Sequence, residues 1–77
     1  MPTILVVDGY RFFFYSNEGH EPAHIHIEKA DGIAKWWLAP AREAGSEGFS
    51  RAQRNRIRAI ILEHEADFID AWNRYFR

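Results

Sequence analysis

The sequence predicts an α+β domain: a four-stranded antiparallel meander of two hairpins, with one long or two short C-terminal helices packed on one face. Three observations carry this. Asp-Gly twice separates a pair of β-branched and aromatic runs, at Asp8-Gly9 and Asp31-Gly32. That dipeptide suits a type I′ turn, whose two central residues both need positive φ. Apolar residues recur at helical spacing from Ile57 to Tyr75, the periodicity of a one-sided helix. Finally, the 77 residues contain no repeat, linker or low-complexity tract, which predicts a single domain over 1–77.

Thr3 to Val7 and Tyr10 to Tyr15 form the first predicted hairpin; Ala23 to Ala30 and Ile33 to Leu38 form the second. Between them, Ser16 to Pro22 is rich in turn formers and reads as a loop. An irregular stretch is expected after Pro40. Ser50 then suits an N-cap, its hydroxyl accepting from a free amide of the first helical turn. The stripe Ile57, Ile60, Ile61, His64, Phe68, Trp72, Tyr75 faces the sheet, and Leu62, Ile69 and Phe76 form a second, displaced line. The helix is therefore either broadly covered or bent near His64-Glu65.

Two-residue loops would pair Val7 with Tyr10, Leu5 with Phe12 and Thr3 with Phe14. In the second hairpin they would pair Lys29 with Ala34, Ile27 with Trp36 and Ile25 with Leu38. Strand alternation then puts these apolar sets toward the helix. The opposite face receives Ile4, Val6, Arg11, Phe13 and Tyr15, then His24, His26, Glu28, Lys35 and Trp37. On it Glu28 would oppose Lys35, and His26 would oppose Trp37. Twelve aromatic rings in so short a chain, at 16% of residues, exceed the needs of a small core. The surplus Phe13, Tyr15 and Trp37 falls beside the two histidines. Two readings stand: a half-solvated face partly covered by residues 39–49, or a binding surface.

Three of four histidines lie in His20-Glu21-Pro22-Ala23-His24-Ile25-His26. His20-Glu21-x-x-His24 matches the zinc-protease string in letters only. Its two histidines must sit one helical turn apart, whereas Pro22 biases Glu21 toward extended backbone. His24-x-His26 on a strand instead projects two imidazoles to one side, with Glu28 continuing the row. With His20 from the loop, such a set suits a divalent transition metal, but no cofactor is required, because the same histidines suit a wet sheet face, packing on Trp37 and hydrogen-bonding the loop. Equally, two histidines suit general acid–base cleavage of RNA, with Arg11, Tyr15 or Lys35 holding phosphate. His64, on the apolar stripe, reads as a core histidine. Arg51, Arg54 and Arg58 share one side of the helix and suit an acidic partner or phosphate.

A net charge of −1 and pI near 6.4 exclude a uniformly basic nucleic-acid coat. No apolar run approaches the ~20 residues of a membrane span. The start of the chain has no basic region ahead of its short apolar run, and cysteine is absent; together these predict a reducing cytoplasm.

Met1-Pro2-Thr3-Ile4, Arg11-Phe12-Phe13-Phe14-Tyr15-Ser16-Asn17-Glu18 and His20 to His26 together resemble the small bacterial family catalogued as domain of unknown function 4160. The similarity continues through Ala34 to Pro40, Gly48-Phe49-Ser50 and Ala71 to Phe76. Ala23 stands where that family usually has a second proline, and Trp36 where phenylalanine is common. The resemblance implies no established activity. It implies a toxin–antitoxin-type module, since such genes often neighbour those of a second small family of unknown function. A cognate small protein partner and a bacterial cytoplasm follow as expectations. The partner would bind through the histidine/aromatic face or the arginine helix, and a homo-oligomer is compatible with either. The alternatives are an endoribonuclease using His24 and His26, or a histidine-based metal-binding domain.

Overall fold

In the computed structural model, which describes residues 2–76, every strand pairs antiparallel with the next in sequence. The strands are β1 (Thr3–Val7), β2 (Tyr10–Phe13), β3 (His24–Lys29), β4 (Gly32–Leu38) and β5 (Ala41–Glu47). One helix, α1 (Arg51–Tyr75), crosses one face. The sheet thus has five strands where four were expected. The additional strand occupies the stretch expected to be irregular. Ala41-Arg42-Glu43-Ala44-Gly45-Ser46-Glu47 lacks β-branched and aromatic residues, and it is stabilised as an edge strand by its ladder to β4 rather than by propensity. A cis Ala39-Pro40 peptide occupies the two-residue connection between Leu38 and Ala41.

The first Asp-Gly turn forms as predicted, with φ of 52° at Asp8 and 82° at Gly9. Val7 pairs with Tyr10 and Leu5 with Phe12, but an irregularity at Ile4 puts Thr3 opposite Phe13, not Phe14. Ile4 consequently packs against the core instead of staying on the outer face.

The second turn departs further. Lys29 pairs with Gly32, so the connecting residues are Ala30-Asp31, and Ala30 takes the positive φ of 51°. Gly32 is inside the strand for a different reason. A Cβ there would lie 2.5 Å from Cδ1 and 2.7 Å from Cζ of Phe49, whose ring rests on the glycine. The register is therefore displaced by two residues: Ile27 faces Ala34, Ile25 faces Trp36, His26 faces Lys35 and His24 faces Trp37. Glu28 opposes Ile33 rather than Lys35. Since side chains alternate with period two, a two-residue displacement changes every cross-strand partner and leaves each face's membership intact.

The core therefore contains the expected residues. Phe12, Phe14, Ile25, Ile27, Trp36 and Leu38 meet Ile57, Ile60, Ile61, Phe68 and Trp72. Phe12 stacks on Phe68 at 5.4 Å between centroids, and Phe14 meets Trp72 edge-on at 5.3 Å. Each fully buried side chain of this kind contributes roughly 1.5–3 kcal/mol relative to exposure. The helix is continuous through His64-Glu65, with Leu62 exposed and Ile69 and Phe76 half-buried. His64 is half-buried beside Phe68, not enclosed. Ser50 is the N-cap: its hydroxyl accepts from the Gln53 amide at 3.1 Å, and the Gln53 side chain accepts from the Ser50 amide at 2.8 Å.

Candidate functional site: a Glu18–His24–His26 cluster

Strand alternation carries His24 and His26 to the same side of β3, as expected, but the surface they join is closed. The loop between β2 and β3 folds Glu18 over both rings. Its Oε1 lies 2.8 Å from His24 Nε2 and 2.7 Å from His26 Nε2. One ligand-type atom from each of the three residues lies within 4.8 Å of the others. Among the described residues no other such group occurs.

The protons can be assigned from the partners. His24 Nδ1 lies 2.9 Å from the Pro22 carbonyl, which can only accept, so Nδ1 carries a proton. In neutral His24 the Nε2 lone pair then points at the Glu18 carboxylate. That contact is favourable only with a second proton on the ring or with a cation between the atoms. A backbone carbonyl fixing Nδ1–H while Nε2 points into a cluster of donors is how metal-ligating histidines are oriented.

Burial raises the Glu18 pKa, but hydrogen bonds and charge from His24 and His26 outweigh it and hold the carboxyl below its ordinary value. Burial also depresses His26, more than Glu18 raises it. Both shifts favour a carboxylate facing a neutral imidazole, the protonation states that ligate metals.

His24 is fully buried at 0% exposure, with Trp72 of α1 at 4.8 Å and Trp37 at 5.6 Å between ring centroids. Phe13 is also buried, at 3%, between the Arg11 guanidinium, 4.1 Å from its centroid, and the His26 ring. The open aromatic face therefore reduces to exposed Tyr15, edge-on to His26 at 4.6 Å, and half-buried Trp37 under Lys35 Nζ at 4.6 Å. Lys35 Nζ donates to Glu21 at 2.8 Å, and this bond lowers the Glu21 pKa.

Two expected members lie elsewhere. Glu28 accepts from Arg11 Nε at 2.8 Å, opposite it in the β2–β3 ladder. His20 is exposed in the loop and outside the cluster. Arg51, Arg54 and Arg58 line a separate cleft between α1 and β5. Glu18 was absent from the expected site. The available signal was a carboxylate six residues ahead of His-x-His, inside a loop of turn formers long enough to fold back.

Beside the cluster, the outer sheet face holds a groove of about 510 Å³ bordered by Phe13, Tyr15, His26, Ile33 and Lys35. His26 belongs to both, one nitrogen in the cluster and its ring along the groove. His24, enclosed with both ring nitrogens engaged, cannot reach a polymeric substrate. A paired-histidine cleavage of RNA consequently has no support from this geometry.

An open five-stranded meander under one helix, with a two-histidine, one-carboxylate cluster at the end of the sheet, defines a small α+β domain. The chain belongs to the family described as a domain of unknown function (DUF4160), whose model matches residues 9–73. No curated protein and no solved structure matches it. Among the described residues, no helix is long and apolar enough to cross a membrane.

Proposed function

We propose that this is a divalent transition-metal-binding domain, with Glu18, His24 and His26 as the protein ligands. The observation that carries the reading is the convergence of two Nε2 atoms on one carboxylate oxygen while Pro22 holds the His24 Nδ1 proton. Tetrahedral zinc, with bonds of ~2.0–2.1 Å, sets its ligand atoms about 3.3 Å apart. The present 2.7–2.8 Å contacts must therefore open by about 0.5 Å. Glu18, carried by a loop, can supply that movement without disturbing β3. Two imidazoles and a carboxylate suit zinc, cobalt, nickel or copper over magnesium or calcium.

The test is metal content of untagged protein after equilibration with zinc and removal of excess. About one equivalent is expected for the wild type, and far less for Glu18→Gln and His26→Ala at unchanged circular dichroism. Sub-stoichiometric metal in folded wild type, or equal loading of the variants, overturns the proposal.

The second reading is docking of a cognate small protein, in a toxin–antitoxin-type pair, on the outer-face groove. Tyr15 and Ile33 support it: they border the groove at 40% and 55% exposure. Co-expression with the product of a neighbouring gene should give a complex that Ile33→Asp weakens. No complex, or one indifferent to Ile33→Asp, refutes docking at this groove.

A further inference from the structure

On the helix side of the sheet, α1 and β5 enclose a second cleft of about 320 Å³. Arg51, Arg54, Asn55 and Arg58 border it from the first two turns of α1, Glu43 from β5, and Trp36 from β4. We propose that this cleft binds a phosphate monoester dianion, held by Arg51, Arg58 and the Trp36 indole N–H.

Three observations converge. Trp36 is 5% exposed, and its Nε1 is the only buried side-chain nitrogen or oxygen among the described residues without a hydrogen-bond partner. Leaving such a donor unmet costs about 1–3 kcal/mol, so an acceptor supplied by a ligand accounts for it.

Glu43, opposite Trp36 in the β4–β5 pairing, is fully engaged by Arg54 through contacts of 3.0 and 2.5 Å. With that carboxylate neutralised, Arg42 of β5 and Arg51 and Arg58 of α1 remain as cleft-bordering cations without an ion-pair partner among the described residues. Moreover, the first turn of α1 contains no acid. Cations at a helix N-terminus oppose the helix dipole, so this end carries unfavourable positive charge that an anion relieves.

The chemistry selects phosphate. The three guanidinium charges left over cover the −1.5 to −2 of a phosphate monoester, and guanidinium forks fit its oxygens. The cleft also exceeds the size of the anion alone, leaving room for a small group attached to it. Nothing here depends on the metal reading, because Glu18, His24 and His26 lie outside this cleft.

The experiment is calorimetric titration at constant ionic strength with inorganic phosphate, ribose 5-phosphate, and a short oligoribonucleotide with and without a 5′-phosphate. Saturable binding of ribose 5-phosphate is expected. Arg51→Gln/Arg58→Gln and Trp36→Phe should each weaken it at least about tenfold, the worth of one hydrogen bond to a charged group. Glu18→Gln should bind as wild type does, which separates this site from metal-mediated phosphate binding. No saturation by any phosphate, unchanged affinity in Trp36→Phe, or oligonucleotide binding indifferent to the 5′-phosphate each overturns the proposal.

Discussion

Replacing Gly32 by alanine tests why the second hairpin turns where it does. The new Cβ would stand 2.5 Å and 2.7 Å from two Phe49 ring atoms, well inside contact distance. Phe49 packs against the core, so its displacement resembles overpacking, which costs typically 1–3 kcal/mol. An unfolding entropy of ~2.1 cal/mol/K per residue gives about 0.16 kcal/mol/K for 77 residues. The expected loss in melting temperature is therefore about 6–18 °C. Gly45→Ala is the control: a Cβ there meets nothing within 4 Å, and alanine restricts the unfolded chain, so a neutral or slightly stabilising effect is expected. Thermal unfolding followed by circular dichroism measures both. Introducing Phe49→Ala beside Gly32→Ala should remove the clash, giving a non-additive double-mutant cycle. If Gly32→Ala melts at or above the wild-type temperature, the ring does not hold this glycine in place and the explanation of the register fails.

Ser50→Ala removes one half of the capping box and should cost about 1 kcal/mol, or about 6 °C in the same assay. Phe68→Ala should cost about 3–5 kcal/mol, a large share of the ~4–12 kcal/mol available to a domain of this length; urea denaturation should show a much lower midpoint. Arg54 hydrogen-bonds Glu43 and, against the opposing effect of burial, holds its pKa below the ordinary glutamate value. The associated stability is complete above the unfolded-state pKa and disappears as pH falls through the lowered folded value. The melting-temperature gap between wild type and Glu43→Gln should thus be present at neutral pH and close in acid; a gap that stays constant rules out this linkage.

The parts of the fold legible in the sequence are those with a local cause. Asp8-Gly9 has the backbone freedom its turn needs, Ser50 caps the helix it precedes, and Ile57 to Trp72 repeat at one helical period. Asp31-Gly32 has the same letters with another cause, a distant ring resting on the glycine, so the turn lies one residue earlier and the register is displaced by two. β5 was not legible because its small and charged residues form a strand only beside β4. At the site, the alternation of His24 and His26 was readable. Glu18 was not, because the loop that folds it back has no periodicity, and neither was the closure of Trp72 over His24, which requires the helix to be in place.

The strand order also bears on how the chain assembles. In β1-β2-β3-β4-β5 there is no crossover, so no strand pairs before a neighbour in sequence exists for it. Three of the four connections are two residues long, and closing such loops costs little entropy. The helix is different: its contact between Arg56 and Asp8 spans 48 residues. A chain emerging from the ribosome therefore presents each strand to a partner already synthesised, while the hydrophobic side of the growing sheet stays uncovered until the last third of the sequence arrives.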